Sequence, residues 1–191
     1  MPRRLPAFPP RLLLVLAASS LLVAITLITP IARGGGDGDG RVVGSVFFVA
    51  KSENKNQVHY GIHLDPACRP VGNAPIFAYW RLLERGPFAT EPLLAREEPA
   101  YGVQTQRTLK RSEQGGSVLI TLNALPKRPI VIDSTATGAT CTATAQAMIG
   151  GVPASLVSVF VQLRWPFGVD SLLLAGRVTL DGHVVRERVE N

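Results

Sequence analysis

The sequence carries none of the short motifs that announce a catalyst. It has no G-x-S-x-G nucleophile turn, no glycine loop that opens a helix to cradle a nucleotide, and no C-x-x-C pair. Triads assemble from distant residues, so a set such as His183 with Asp133 or Asp170 stays open as a minor alternative. Histidine is scarce, at three residues in 191, and cysteine is limited to Cys68 and Cys141. No Cys follows the N-terminal apolar run, which excludes a bacterial lipoprotein anchor. A basic face is also missing. Setting aside Arg3, Arg4 and Arg11 leaves 17 basic residues against 14 acidic ones, a net charge of +3, and they are scattered. Nucleic-acid binding needs a clustered cationic surface, so no nucleic-acid partner is expected.

What is present begins at the N-terminus. Arg3, Arg4 and Arg11 precede an uncharged run from Leu12 to Ala32. A cationic end followed by an apolar stretch is an export signal. A cleaved signal peptide has a shorter apolar core and a small-x-small site, and the best site here, after Ala32, has Pro30 at its −3 position. A spanning helix needs roughly 20 apolar residues, a length that Leu12 to Ala32 meets. Residues 1–32 are therefore read as a signal peptide or an N-terminal transmembrane anchor, contacting the membrane through residues 12–32 if uncleaved. Either way the remainder is expected on the periplasmic or extracellular side, membrane-anchored or secreted. That location removes cytosolic ATP, NAD and the chromosome as partners.

Residues 33–42 contain GGGDGDG, whose glycines make a flexible tether. Asp37 and Asp39 suggest calcium, but an EF-hand loop also needs a third ligand, a central Gly and a distant Glu, which are missing here. About 159 residues follow residue 32, a suitable length for one domain. From residue 43 to 191 the chain reads as strands. Residues 43–51 form a β-branched and aromatic run, SENKN is a turn cluster, and residues 57–64 alternate with Val58, Tyr60, Ile62 and Leu64 on one face. Residues 140–148 alternate as well, with Cys141, Ala143, Ala145 and Ala147 inward. Asp181-Gly182 signals a hairpin turn. The one helix candidate is residues 90–100, bounded by Pro92 and Pro99. The expectation is an all-β fold: a single antiparallel β-barrel or β-sandwich of about nine strands with one short helix, the order of hairpins favouring a meandering barrel.

Cys68 and Cys141 lie in one domain of an exported chain, where two cysteines usually pair. The alternative is two buried free thiols. His59 and His63 share a strand face but stand about 13 Å apart at 3.3 Å per residue, too far for one metal ion. They read as two solvent-facing histidines, and no metal or cofactor is expected. Asn54, Lys55 and Asn56 offer amides and a cation to a carboxylate or phosphate, although Asn also serves turns. Tyr79 and Arg81 point to one side of their strand and Trp80 to the other. An aromatic beside a guanidinium suits a sugar or an anionic group, and Trp80 suits the core. Glu97 and Glu98 are adjacent and diverge, unlike the facing carboxyls of a glycosidase.

Three blocks carry a family resemblance. A strand ends in Lys51, Ser52, Asn54 and Asn56; the pair Tyr79-Trp80 follows; Ala100-Tyr101-Gly102 closes the first half. Their order and spacing over residues 46–103 resemble the bacterial family known as domain of unknown function 4833. The resemblance implies a domain and no activity. The expectation is an envelope protein that binds rather than catalyses, with Asn54, Lys55, Asn56, Tyr79, Arg81 and Tyr101 as candidate ligand-binding residues and an envelope polysaccharide, lipid or protein as partner. An envelope hydrolase with its site near Tyr79, Arg81 and Asn54–Asn56, and a purely structural module, are the alternatives.

Overall fold

The computed structural model describes residues 40–51, 53–164 and 168–190. Residues 1–32, expected to be a signal peptide or anchor, and most of the expected tether lie outside the described residues. Eleven strands run in chain order: β1 (Arg41–Lys51), β2 (Gln57–Leu64), β3 (Ile76–Arg81), β4 (Thr90–Pro92), β5 (Val103–Ser112), β6 (Gly115–Leu122), β7 (Leu125–Thr137), β8 (Thr140–Ile149), β9 (Val152–Arg164), β10 (Gly168–Val178) and β11 (Val184–Glu190). One helical turn, α1 (Glu98–Tyr101), precedes β5.

The strands make one forked sheet rather than a closed barrel. The order along its main path is β4-β3-β2-β1-β9-β8-β7-β6-β5, and β10 and β11 extend from β9. The fork is at β9. One edge pairs with β10 along nearly its whole length. The other edge is shared, because Val152–Leu156 pairs antiparallel with β8 and Ser158–Val161 pairs parallel with β1. A bulge marks the changeover. Leu156 faces Gly176 and Ser158 faces Ala175, so Val157 is an extra residue. An inserted residue reverses side-chain parity. Ala154 and Leu156 are therefore buried before the bulge, and Val159 and Val161 after it.

Two wings diverge from β9 and bury one shared core. Phe47 and Val49 of β1, Val58, Tyr60, Ile62 and Leu64 of β2, and Ile76 of β3 come from one wing. Val118, Ile120 and Leu122 of β6, with Ile130 and Ile132 of β7, come from the other. Each such aliphatic side chain contributes about 1.5–3 kcal/mol by leaving water. Phe47 stacks on Tyr60 at 4.5 Å between ring centroids. The Tyr60 hydroxyl is fully buried and donates to the Tyr101 carbonyl at 2.7 Å.

The far edges of the wings meet without forming a ladder. Gln106 on β5 bonds the backbone of Ile76 on β3 twice, accepting from its N–H and donating to its C=O, each at 2.9 Å. A side-chain amide thus stands where a strand partner would. A disulfide links Cys68, in the loop after β2, to Cys141 on β8. Such a bond fits an oxidising, extracytoplasmic environment. Beside it the Ser134 hydroxyl donates to the Cys68 carbonyl at 2.8 Å.

Several sequence expectations are corrected. The sheet is mixed rather than antiparallel, because β1 lies parallel to β9. It has eleven strands rather than about nine, and it is not closed into a barrel. The segment 90–100 is mostly not helix, since Thr90–Pro92 pairs with β3 and only Glu98–Tyr101 turns helically. Pro99 lies in the first turn of that helix, where its missing N–H costs nothing. The predicted tether also gives up Arg41 and Val42 to β1. A further hairpin, which side-chain alternation does not signal, is closed by Gly150 and Gly151, whose φ of 61° and 80° join Ile149 to Val152 in a two-residue turn.

Candidate functional site

A cleft of about 220 Å³ opens at the end of the first wing. Four chain segments build it: the end of β1 with the β1–β2 turn, the end of β3, strand β4, and the stretch that leads into α1. Lys51, Asn54, Asn56, Trp80, Glu91, Arg96 and Glu97 supply its polar and aromatic wall. The volume is below the 300–1,000 Å³ usual for drug-sized ligands, which limits an occupant to a small group or one end of a larger molecule.

Trp80 is the wall's anchor. It points inward from the last part of β3 and is 9 % exposed. Its indole N–H donates to a Glu97 carboxylate oxygen at 2.9 Å, and the same oxygen accepts from the Leu94 N–H at 2.9 Å. The Tyr101 ring meets the indole edge-on at 5.3 Å. The Lys51 ammonium stands 5.7 Å from the indole centroid, a cation–π contact, and is 3.3 Å from Glu53. Partial burial raises the proton affinity of Glu97. The Leu94 and Trp80 hydrogen bonds, with the charges of Arg96 and Lys51, outweigh that effect and hold its carboxyl below the usual range. Glu97 therefore stays ionised at neutral pH.

The asparagines are held rather than loose. The Asn54 side-chain oxygen accepts from the Asn56 N–H at 3.0 Å, a local turn bond. The Asn56 amide exchanges two bonds with Glu84 at 3.3 Å, tying this turn to the loop after β3. Turn chemistry and cleft lining are thus served by the same residues.

The candidate residues fall into two groups. Asn54 and Asn56 line the cleft, and Lys55 is an exposed residue between them. Tyr101 backs the cleft through its contact with Trp80. Tyr79 and Arg81 are not in the cleft. They occupy the outer face of β3, opposite Trp80, and the Arg81 guanidinium donates to the Pro87 carbonyl at 3.0 and 3.2 Å. Lys51, Trp80, Glu91, Arg96 and Glu97 were not named as candidates. The Trp80 and Lys51 contributions were in principle legible, because an aromatic and a cation flanked the chosen Asn turn and Tyr79. Arg96 and Glu97 lay in a segment read as helix, which hid their approach to β3.

On that outer face the histidine expectation needs correction. His63 is exposed, as expected, but His59 is only 4 % exposed. It lies between Phe48, at 5.4 Å, and Tyr79, at 5.7 Å, with Phe77 next in the row. Neighbouring aromatic rings on β1 and β3 covered it, an arrangement that one strand's alternation cannot show. Among the described residues no cluster of His, Cys, Asp and Glu is able to hold a metal ion, and no helix is long and apolar enough to cross a membrane.

These features define a disulfide-linked, open-sheet β-domain with a small polar cleft. A family model described as domain of unknown function (DUF4833) matches residues 47–188. The chain belongs to that family. No curated protein and no solved structure matches it.

Proposed function

We propose that this protein is an extracytoplasmic binding module, delivered by the apolar segment of residues 12–32, whose cleft takes one polar unit of a cell-envelope glycan. The observation that carries the reading is the convergence of Lys51, Asn54, Asn56, Arg96 and Glu97 around the Trp80 indole. An indole edge with amides, cations and a carboxylate matches the mixed apolar and hydroxyl surface of a sugar. Asn56 and Glu97 are already fixed by neighbours, so little side-chain freedom is lost on binding. The disulfide and the export segment agree with an oxidising compartment on the outer side of the membrane.

Calorimetric titration of the full chain with envelope oligosaccharides tests this. Arg96→Ala, at an exposed position on the cleft wall, is expected to weaken binding about 10-fold with no change in melting temperature. Oligosaccharides that give no heat at millimolar concentration, or an Arg96→Ala protein that binds as well as the parent, refute it. For location, a protease added to intact cells after outer-membrane permeabilisation should degrade the domain, and protection under those conditions contradicts an extracytoplasmic position.

A further inference from the structure

The buried histidine on the outer face is tied into a chain that the binding reading does not use. The Ser45 hydroxyl is 2.7 Å from His59 Nδ1, and His59 Nε2 is 3.0 Å from the Gln57 side-chain oxygen. The Gln57 oxygen can only accept, so Nε2 carries the ring proton. Nδ1 is then an acceptor, and the Ser45 O–H donates to it. The order is hydroxyl, base and orienting group, the arrangement by which a weak nucleophile is activated.

The backbone presents Ser45 to solvent. Val43 pairs with Ile62 and Phe47 with Tyr60, so Gly44, Ser45 and Val46 bulge opposite Gly61 alone. Bulges re-aim side chains and occur beside active sites. Ser45 is exposed, whereas its partner His59 is buried beneath Phe48 and Tyr79. Gly61 lets the bulge and the rings pack: a Cβ there would meet the Phe77 ring at 2.4 Å and the Gly44 carbonyl at 2.9 Å. The Tyr79 hydroxyl stands over the bulge, 3.7 Å from where a Gly44 Cβ would be. It is a hydrogen-bond donor over Gly44, the residue that precedes the serine.

We propose that Ser45, His59 and Gln57 form an acyl-transfer site that hydrolyses carboxylic esters of small acyl groups. Ser45 Oγ attacks the ester carbonyl carbon while its proton passes to His59 Nδ1. Gln57 holds the opposite ring N–H, and the Tyr79 hydroxyl donates to the carbonyl oxygen as it becomes negative. The tetrahedral adduct collapses, the carbon–oxygen bond to the alcohol breaks, and the alcohol leaves with the proton from Nδ1. Water, deprotonated by the same nitrogen, releases the carboxylic acid and restores Ser45. The rings of Phe48, Phe77 and Tyr79 make the surroundings apolar, which suits the acyl portion. This site and the cleft use opposite faces of the same strands, so each is tested without the other.

The test is labelling of the full chain with a fluorophosphonate probe, read by peptide mass mapping, together with hydrolysis of p-nitrophenyl acetate. The expected result is probe on Ser45, and at least about 100-fold slower labelling in His59→Gln. Ser45→Ala should remove the label, while Ser117→Ala on the other wing should leave it unchanged. Gln57→Glu places a carboxylate on Nε2–H and should raise the pH at which labelling falls off on the acid side. A merely structural hydrogen bond would not move that limb. The proposal is overturned if Ser45 stays unlabelled while the protein is folded by circular dichroism. It is also overturned if His59→Gln labels as fast as the parent, or if Gln57→Glu leaves the acid limb in place.

Discussion

Removing the Cys68–Cys141 bond by a double Cys→Ala substitution is expected to destabilise the domain more than any single surface change. The bond closes a loop with a sequence separation of 73 residues. The chain-entropy relation for a loop of that length gives about 4 kcal/mol at 25 °C, by restricting the unfolded chain. The bond ties the loop after β2 to β8, and Cys68 is fully buried, so native packing is also lost there. With a urea slope of roughly 2 kcal/mol per molar, the unfolding midpoint should fall by about 2 M. The assay is urea unfolding of the full chain followed by circular dichroism, with the parent under oxidising and reducing conditions as controls. A fall of less than about 0.5 M, with the slope unchanged, would refute the reasoning, because the crosslink would then not restrain the unfolded ensemble.

Other outcomes follow from the packing and the titrating groups. Tyr60→Phe keeps the ring but leaves the buried Tyr101 carbonyl without its donor, and should cost about 1–2 kcal/mol in chemical denaturation. Gly61→Ala forces a Cβ to 2.4 Å from the Phe77 ring and 2.9 Å from the Gly44 carbonyl, so a loss of about 1–3 kcal/mol is expected in chemical denaturation, smaller when measured against a Phe77→Ala background that removes the ring clash. Burial, then the Arg81 charge, lowers the pKa of His59 from 6.5 to about 4. Above pH 6.5 both folded and unfolded chains keep it neutral. Between 6.5 and about 4 only the unfolded chain takes up the proton, so stability should decline as pH falls through that window. Stability against pH for the parent and His59→Gln checks this: the decline from pH 6.5 should be shallower in the variant. Glu97 and Glu187 have pKa values lowered from 4.5, so their losses set in near that pH and below, and the decline over the upper part of the window belongs to His59.

Much of the local structure was written in side-chain alternation. Val58, Tyr60, Ile62 and Leu64 alternate in sequence and are all fully buried on one face of β2. The cysteines paired, as an exported domain with two of them suggests. What alternation cannot express is which strands become neighbours across long separations. The parallel contact between β1 and β9 joins Phe48–Lys51 to Ser158–Val161, and no turn signal connects them. The bulge at Val157 had the same character, because an extra residue shows only against its partner. Pro92 and Pro99 were read as bounding one helix, yet Pro92 sits on a short edge strand, where a missing N–H is tolerated.

The same limit governed the cleft. Asn54 and Asn56 were legible as a polar turn, but their partner walls came from the segment before α1, whose strand-to-helix course no local pattern announced. Tyr79 and Arg81 were rightly assigned to one side of β3, and that side faces away from the cleft. His59 was misread because burial of an outer-face residue depends on rings from β1 and β3 on both sides of it.

The central claim is that the cleft floored by Trp80 holds an envelope glycan. Its most direct test is the indole N–H resonance of Trp80 in a heteronuclear NMR spectrum, because that proton bonds Glu97 in the cleft wall. Titration with an envelope oligosaccharide is predicted to shift this signal in a saturable way in the parent, and to need about 10-fold more ligand to do so in Arg96→Ala. Saturable binding that perturbs other signals while the Trp80 indole proton stays fixed would contradict the account.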